Sequence, residues 1–217
     1  MNNVPLKGTL AYVRYWANRT HEALNKRDDV EIGDYTYGNP QIRTGAGIVK
    51  CKIGKFCSIA SGVSIQLTSD HHSDWISTYD LSVLLQGDDF EKAYNSKTCI
   101  AKGNVVIGNN VWICERAIIL PGVTIGNGAI IAANCVVTKS VPAYSICAGI
   151  PGKIIKKRFS DEEIKILERI QWWNWPEEKI LKGLSLIESN SVEDLLKFHE
   201  ENKEAEFLTV AERRNTL

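Results

Sequence analysis

A chain of 217 residues with 26 Lys plus Arg against 26 Asp plus Glu has no net charge. That balance excludes the basic surplus of a nucleic-acid binder and the acidic tail of a solvating segment. Apolar residues make up 44% and charged residues 24%, as in ordinary globular proteins, and the length suits one domain with an appendage.

The first element is a short helical or irregular lead-in, TLAYVRYWANRTHEALNKR, with Leu10, Val13, Trp16 and Ala17 at helical spacing on one face. Residues 1–18 lack the apolar core of a signal peptide. No apolar run reaches the roughly 18–20 residues that span a bilayer, so the expected location is the cytoplasm.

A different period follows. From Ile107 the chain reads IGNNVW, ICERAI, ILPGVT, IGNGAI, IAANCV, VTKSVP, six blocks in one frame. Each opens on an aliphatic residue (Ile107, Ile113, Ile119, Ile125, Ile131, Val137), and its fifth place is small or β-branched (Val111, Ala117, Val123, Ala129, Cys135, Val141). IGKFCS and IASGVS, from Ile53 to Ser64, obey the same frame, and a partial block starts at Ile32 with IGDYTY. Period six is neither the 3.6 of a helix nor a long alternation; it is a short strand, a corner and a new direction. Three such sides make a coil of about 18 residues, and stacked coils bond backbone to backbone. Gly108, Asn109, Gly122, Gly126 and Gly128 are expected to supply the unusual backbone conformations of the corners. An all-β solenoid follows.

The frame breaks after Ile65 and resumes near Ala101. The excursion over 66–101 carries aromatic, apolar and acidic residues and two of the four histidines, His71 and His72, side by side. Excursions this long inside a compact repeat commonly carry function, and loops on a rigid scaffold are where chemistry sits.

Beyond the repeat, Ser160 and Glu163 have capping-box spacing and predict the start of a helix, EEIKILERIQ. It stops at the cluster Trp172-Trp173-Asn174-Trp175-Pro176, expected to be a hydrophobic anchor. Pro176 predicts a second helix, EEKILKGLSLIE, and Ser191 caps a third. The chain thus divides into a lead-in over 1–30, a β-helix over 31–158 and a helical extension over 159–217. Six cysteines without a CxxC pair (Cys51, Cys57, Cys99, Cys114, Cys135, Cys147) read as small buried apolar residues.

For chemistry, a neutral imidazole suits a general base at neutral pH, which makes His71 and His72 candidates, with Asp74 close enough to share their surroundings. A zinc site of three histidines needs a third partner, and the repeats proper contain no His. No metal is expected. Phosphate-cradling GxxxxGK[ST] and GxSxG motifs are also absent from the sequence.

Several stretches occur in a fixed order: the repeat; His71, Asp74, Trp75, Ser77 and Thr78 as His-x-x-Asp-Trp-x-Ser-Thr; Gly108-Asn109-Asn110-Val111-Trp112-Ile113; Ala148-Gly149-Ile150-Pro151-Gly152-Lys153; and the tryptophan cluster. Together they resemble the xenobiotic branch of the hexapeptide-repeat acyltransferases, which includes type B chloramphenicol and streptogramin acetyltransferases. The resemblance implies a left-handed parallel β-helix, an acetyl-CoA co-substrate, and a homotrimer with active sites between subunits. Its catalytic His, which deprotonates an acceptor hydroxyl for direct attack on the thioester, matches His71. The positions along its coenzyme arm match Trp112, Ala129, Cys147, Gly152 and Lys153, with Lys156, Lys157 and Arg158 adding cationic charge. Tyr35 and Tyr37 match acceptor-pocket aromatics.

The sequence departs from the antibiotic-modifying pattern at one point. Those enzymes carry Gly-Asn before the His and Arg after it, whereas here Ser69-Asp70 precede and His72 follows. Either His71 or His72 is therefore the expected base. The acceptor is a small molecule, either a sugar of the cell envelope or a xenobiotic. The alternatives are N-acylation of a nucleotide-linked amino sugar and a noncatalytic trimeric scaffold.

Overall fold

The computed structural model describes residues 9–43, 49–68, 71–79, 81 and 102–202. The chain forms two compact units, Met1–Arg158 and Phe159–Leu217.

In the first unit thirteen short strands run β1 (Val30–Ile32), β2 (Gln41–Ile42), β3 (Cys51–Ile53), β4 (Ser58–Ile59), β5 (Ser64–Ile65), β6 (Val105–Ile107), β7 (Trp112–Ile113), β8 (Ile118–Ile119), β9 (Thr124–Ile125), β10 (Ile130–Ile131), β11 (Val136–Val137), β12 (Ser145–Ala148) and β13 (Lys153–Lys157). Successive strands in the repeat lie in different sheets. The sheets are β1-β3-β6-β9, β13-β12-β10-β7-β4 and β11-β8-β5-β2. Every strand pairing is parallel except the terminal β12–β13 pair. These are the three sides of a β-helix.

The period explains the register. Trp112 pairs with Ile130 and Ile118 with Val136, one coil apart, and the Asn109 backbone N–H donates to the Asn127 side chain across 18 residues. From Ile53 on, the aliphatic first place and the small fifth place of the blocks are both buried in one continuous core, which spans Val30 to Cys147 and has Ile32 packed against it. Burying each Ile side chain contributes about 1.5–3 kcal/mol, and the narrow column holds Val, Ala, Cys or, in the first block, Thr36 at the fifth place. The excursion leaves this order intact. The Lys55 backbone N–H donates to the Asn109 side chain across 54 residues, just as Asn109 meets Asn127 one coil on.

At the corners, the structure revises the expected glycine role. The left-handed conformation falls on the fourth place of the block, occupied by Tyr35 (φ 65°), Phe56 (φ 57°), Asn110 (φ 53°), Arg116 (φ 57°) and Asn134 (φ 56°), as well as by Gly62, Gly122 and Gly128. A left-handed L-residue costs roughly 1–2 kcal/mol, and the backbone bonds to the coils on either side impose it regardless of side chain. Gly108 and Gly126 stand instead at the second place and have no left-handed φ. They are there because coils touch: a Cβ on Gly54 would come 2.6 Å from the Gly108 carbonyl oxygen, and one on Gly126 would come 2.4 Å from the Ala143 nitrogen.

The lead-in forms α1 (Leu10–Arg19), capped by the Thr9 hydroxyl accepting from the Tyr12 N–H. Its covered face is not the one that helical spacing suggested. Ala17 is buried, but Val13 and Trp16 are 50% and 47% exposed. The helix turns Arg14 and Asn18 toward Asp34 instead. It is fastened to the first coil by Thr20 Oγ1 accepting from the Gly38 N–H at 2.8 Å and by the buried His21 Nε2, 3.0 Å from the Thr36 carbonyl oxygen.

In the second unit, Ser160 and Glu163 form the full capping box at the head of α2 (Asp161–Ile170). The expected second helix is broken into α3 (Glu177–Lys182) and α4 (Leu184–Ile187) at Gly183, where a Cβ would meet the Phe198 ring at 2.8 Å. The Ser191 cap opens α5 (Val192–Glu201). Trp175 stacks on His199 with ring centroids 5.4 Å apart, and the buried Lys179 places Nζ 4.8 Å from the Trp175 centroid.

Candidate active site

The excursion leaves the column straight after β5. Leu67 is fully buried and Thr68 nearly so, so the arm starts from a fixed point. Among its described residues, the two histidines behave differently. His71 is exposed and, among the described residues, has no hydrogen bond, ion pair or ring contact. His72 is half-buried, its ring stacked on Trp75 at a centroid distance of 4.0 Å and an interplanar angle of 5°. Its Nδ1 lies 3.5 Å from Asp74 Oδ1. A ring pair of this kind is worth about 0.5–1.5 kcal/mol beyond its buried area. Two residues on, the Tyr79 N–H donates to Ser77 Oγ at 3.1 Å, tightening the turn. Trp75, Ile76, Tyr79 and Leu81 remain exposed apolar groups.

The five-stranded sheet gathers most of the expected coenzyme positions. Trp112 stands half-exposed on its outer face, in a row with Ser58, Ile130 and Ile146, and Tyr37 bridges to Ser58 at the end of that row. Ala129 turns its methyl into the core, and its carbonyl accepts from the Trp112 N–H at 3.0 Å. Cys147 also points inward, its Sγ 3.8 Å from that of Cys135. Gly152 lies against both sulfurs: a Cβ there would be 2.9 Å from each. Its N–H donates to the Val136 carbonyl at 2.8 Å. Lys153 opens β13 opposite Ala148, and the whole strand Lys153–Lys157 is exposed.

Two expected residues are placed elsewhere. Tyr35 is buried at a corner and stacked on Phe56 at 4.3 Å, whereas Tyr37 is 52% exposed. Arg158 directs Nη1 to the Gly128 carbonyl and sits over the Tyr144 ring at 5.8 Å, its pKa lowered chiefly by burial. Its guanidinium is thus engaged by the Gly128 carbonyl and the Tyr144 ring.

Four of the described cysteines, Cys51, Cys57, Cys135 and Cys147, are buried and poor nucleophiles. Burial pushes the Cys51 and Cys135 thiols up to about 12 and that of Cys57 to about 11, and it raises Cys147 as well. Such groups stay protonated at neutral pH. Cys99 lies outside the described residues. Among the described residues no three His, Cys, Asp or Glu side chains converge as a metal would need. No helix there is long and apolar enough to cross a membrane.

Two features escaped sequence reasoning: the stacking of His72 on Trp75, and Cys135 as the neighbour of Cys147. The first joins residues three apart in an irregular turn, where no periodicity announces contact. The second was legible in principle, because Cys135 fills the fifth place of its block and must face the core.

Similarity to known proteins agrees with this geometry. The family profile for bacterial transferase hexapeptide (six repeats) matches residues 104–139. A probable macrolide acetyltransferase of Lysinibacillus sphaericus is 47% identical over 150 residues, 68% of this chain and 82% of that protein. The chain belongs to the hexapeptide-repeat acetyltransferases. Other members are a chloramphenicol acetyltransferase of Agrobacterium fabrum, 40% identical over 70% of this chain and 73% of its own, and a virginiamycin A acetyltransferase of Staphylococcus aureus, 44% identical over 67% and 66%.

Proposed function

We propose that this acetyltransferase moves the acetyl group of acetyl-CoA to a hydroxyl of a xenobiotic or sugar-like small molecule, with His71 as general base. The observation that carries the reading is the pair of imidazoles on an arm that leaves the coil immediately after the buried Leu67. His71, exposed, would take the acceptor's proton as its oxygen attacks the thioester carbonyl. The tetrahedral oxyanion would then collapse, expelling the CoA sulfur, which takes the proton back from the imidazolium. The half-exposed Trp112 and the backbone along Ala129, Cys147 and Gly152 would receive the pantetheine arm. Lys153 and Lys156 would draw the phosphates by charge.

The same reading makes the active unit a homotrimer of left-handed β-helices, with each cleft shared by neighbouring copies. Its support is the unpartnered apolar surface in one chain: Trp112 on the sheet, and Trp75, Ile76, Tyr79 and Leu81 on the arm. The relatives' names favour antibiotics as acceptors over envelope sugars.

The test is thiol release from acetyl-CoA over a panel of macrolides, streptogramins, chloramphenicol, sugars and nucleotide-linked amino sugars. With the best acceptor, His71→Ala should lower kcat by about 10²–10⁴. Turnover within about tenfold of wild type would remove His71 from the role, since loss of a general base costs more than that.

A further inference from the structure

We infer that His72 is a positioning residue, whose stacking on Trp75 sets the side of the arm from which His71 is presented. This rests on the reading of His71 as the base and extends it to the neighbour.

The argument starts from adjacency. His71 and His72 share one peptide unit in a stretch with neither helix nor strand, so a restraint on the backbone at one of them limits where the other can lie. Holding one in place therefore narrows the positions open to its neighbour. His72 is the fixed one: its ring lies flat on Trp75 at 4.0 Å and 5°, and Asp74 is 3.5 Å from Nδ1. Its side chain is 24% exposed, while that of Asp74 is 81% exposed, so water screens the carboxylate contact far more than the ring contact. His71, by contrast, is exposed. The two histidines thus divide the work that a base and its support perform.

Placement matters at this scale because a displacement of about 1 Å at a reacting group costs on the order of 10²-fold in rate. If His72 acts by holding a flat ring against Trp75, a phenyl ring should replace it and a methyl group should not.

The experiment compares His72→Ala, His72→Phe, Trp75→Ala and His71→Ala, measuring kcat, both KM values and the pH profile of kcat/KM. His72→Ala and Trp75→Ala should lower kcat by roughly 10–100-fold, with the KM for acetyl-CoA unchanged. His72→Phe should return to within about threefold of wild type, because positioning needs the ring and not its proton. The inflection of the base should persist in every His72 variant and vanish in His71→Ala. Upfield ring-current shifts of the His72 imidazole protons, read in histidine-labelled wild-type protein, check the stacking even where a variant folds poorly.

Wild-type kcat in His72→Ala would overturn the inference, as would unshifted His72 resonances. His72→Phe losing both turnover and the inflection would overturn it differently, by making His72 the base. Wild-type turnover in His71→Ala would instead strike down the catalytic reading itself, and the positioning role with it.

Discussion

Among the side chains of the column, the thiols give the sharpest account of how burial governs reactivity. Cys51, Cys57, Cys135 and Cys147 are buried, and Cys114 is half-exposed. Reaction with a disulfide reagent requires the thiolate. A thiol pushed up to about 12, as in Cys51 and Cys135, presents on the order of one thiolate in 10⁴ at pH 8. Cys57 is further held by the Gly108 carbonyl, 3.1 Å from its sulfur. Native protein treated with a disulfide reagent and mapped by mass spectrometry should therefore label Cys114 well before these four. Labelling of Cys135 or Cys147 at the rate of Cys114 would contradict the closed packing around Gly152. A residue's partners were readable from sequence only where the six-residue frame speaks for it. The inward course of Ala129 and Cys135 follows from their place in the block. The stacking of His72 on Trp75 has no such rule behind it.

Elements show the same division between rule and context. The start of α2 was legible because a capping box is a local exchange of hydrogen bonds, complete within Ser160–Glu163. The covered face of α1 was not. Its polar Arg14 and Asn18 meet Asp34 on the first coil, a partner chosen by tertiary structure, and the apolar Val13 and Trp16 are displaced outward. Corner residues follow the pattern without following propensity, since Tyr35, Phe56 and Arg116 take left-handed backbone at the fourth place of the block, where stacked coils demand it. The capping box carries a pH signature. The Ser160 N–H and hydroxyl hold the Glu163 carboxyl below its ordinary value. A carboxylate with a folded value below its unfolded one adds stability above the unfolded range and loses it as pH falls through the folded value. Acid titration followed by circular dichroism should show α2 weakening only in that acid window, and Glu163→Gln should flatten the dependence. At neutral pH, Ser160→Ala should cost about 1 kcal/mol; an unchanged urea midpoint would show that the cap does not matter.

At the scale of the whole molecule, the period of six settled the sides, the core and the number of residues per coil, because one strand-and-corner unit repeats without interruption from Ile107. What the period does not contain is assembly. A row that includes Trp112 and an arm bearing Trp75, Ile76, Tyr79 and Leu81 leave large apolar groups in water, which a second copy of the chain would cover. Light scattering should return three times the chain mass of 24.2 kDa. A monomeric mass would halve each proposed cleft and undercut the account of how the arm reaches its coenzyme.

The return of the chain after its excursion has a further consequence. Lys55 and Asn109 meet in the same step as Asn109 and Asn127, although three times as many residues separate them. The scaffold therefore does not register what happens between its second and third turns. An insertion between those turns therefore need not disturb the strands on either side of it. If the proposed coenzyme grip lies on those strands, one column is compatible with acceptors as different as a macrolide and a sugar.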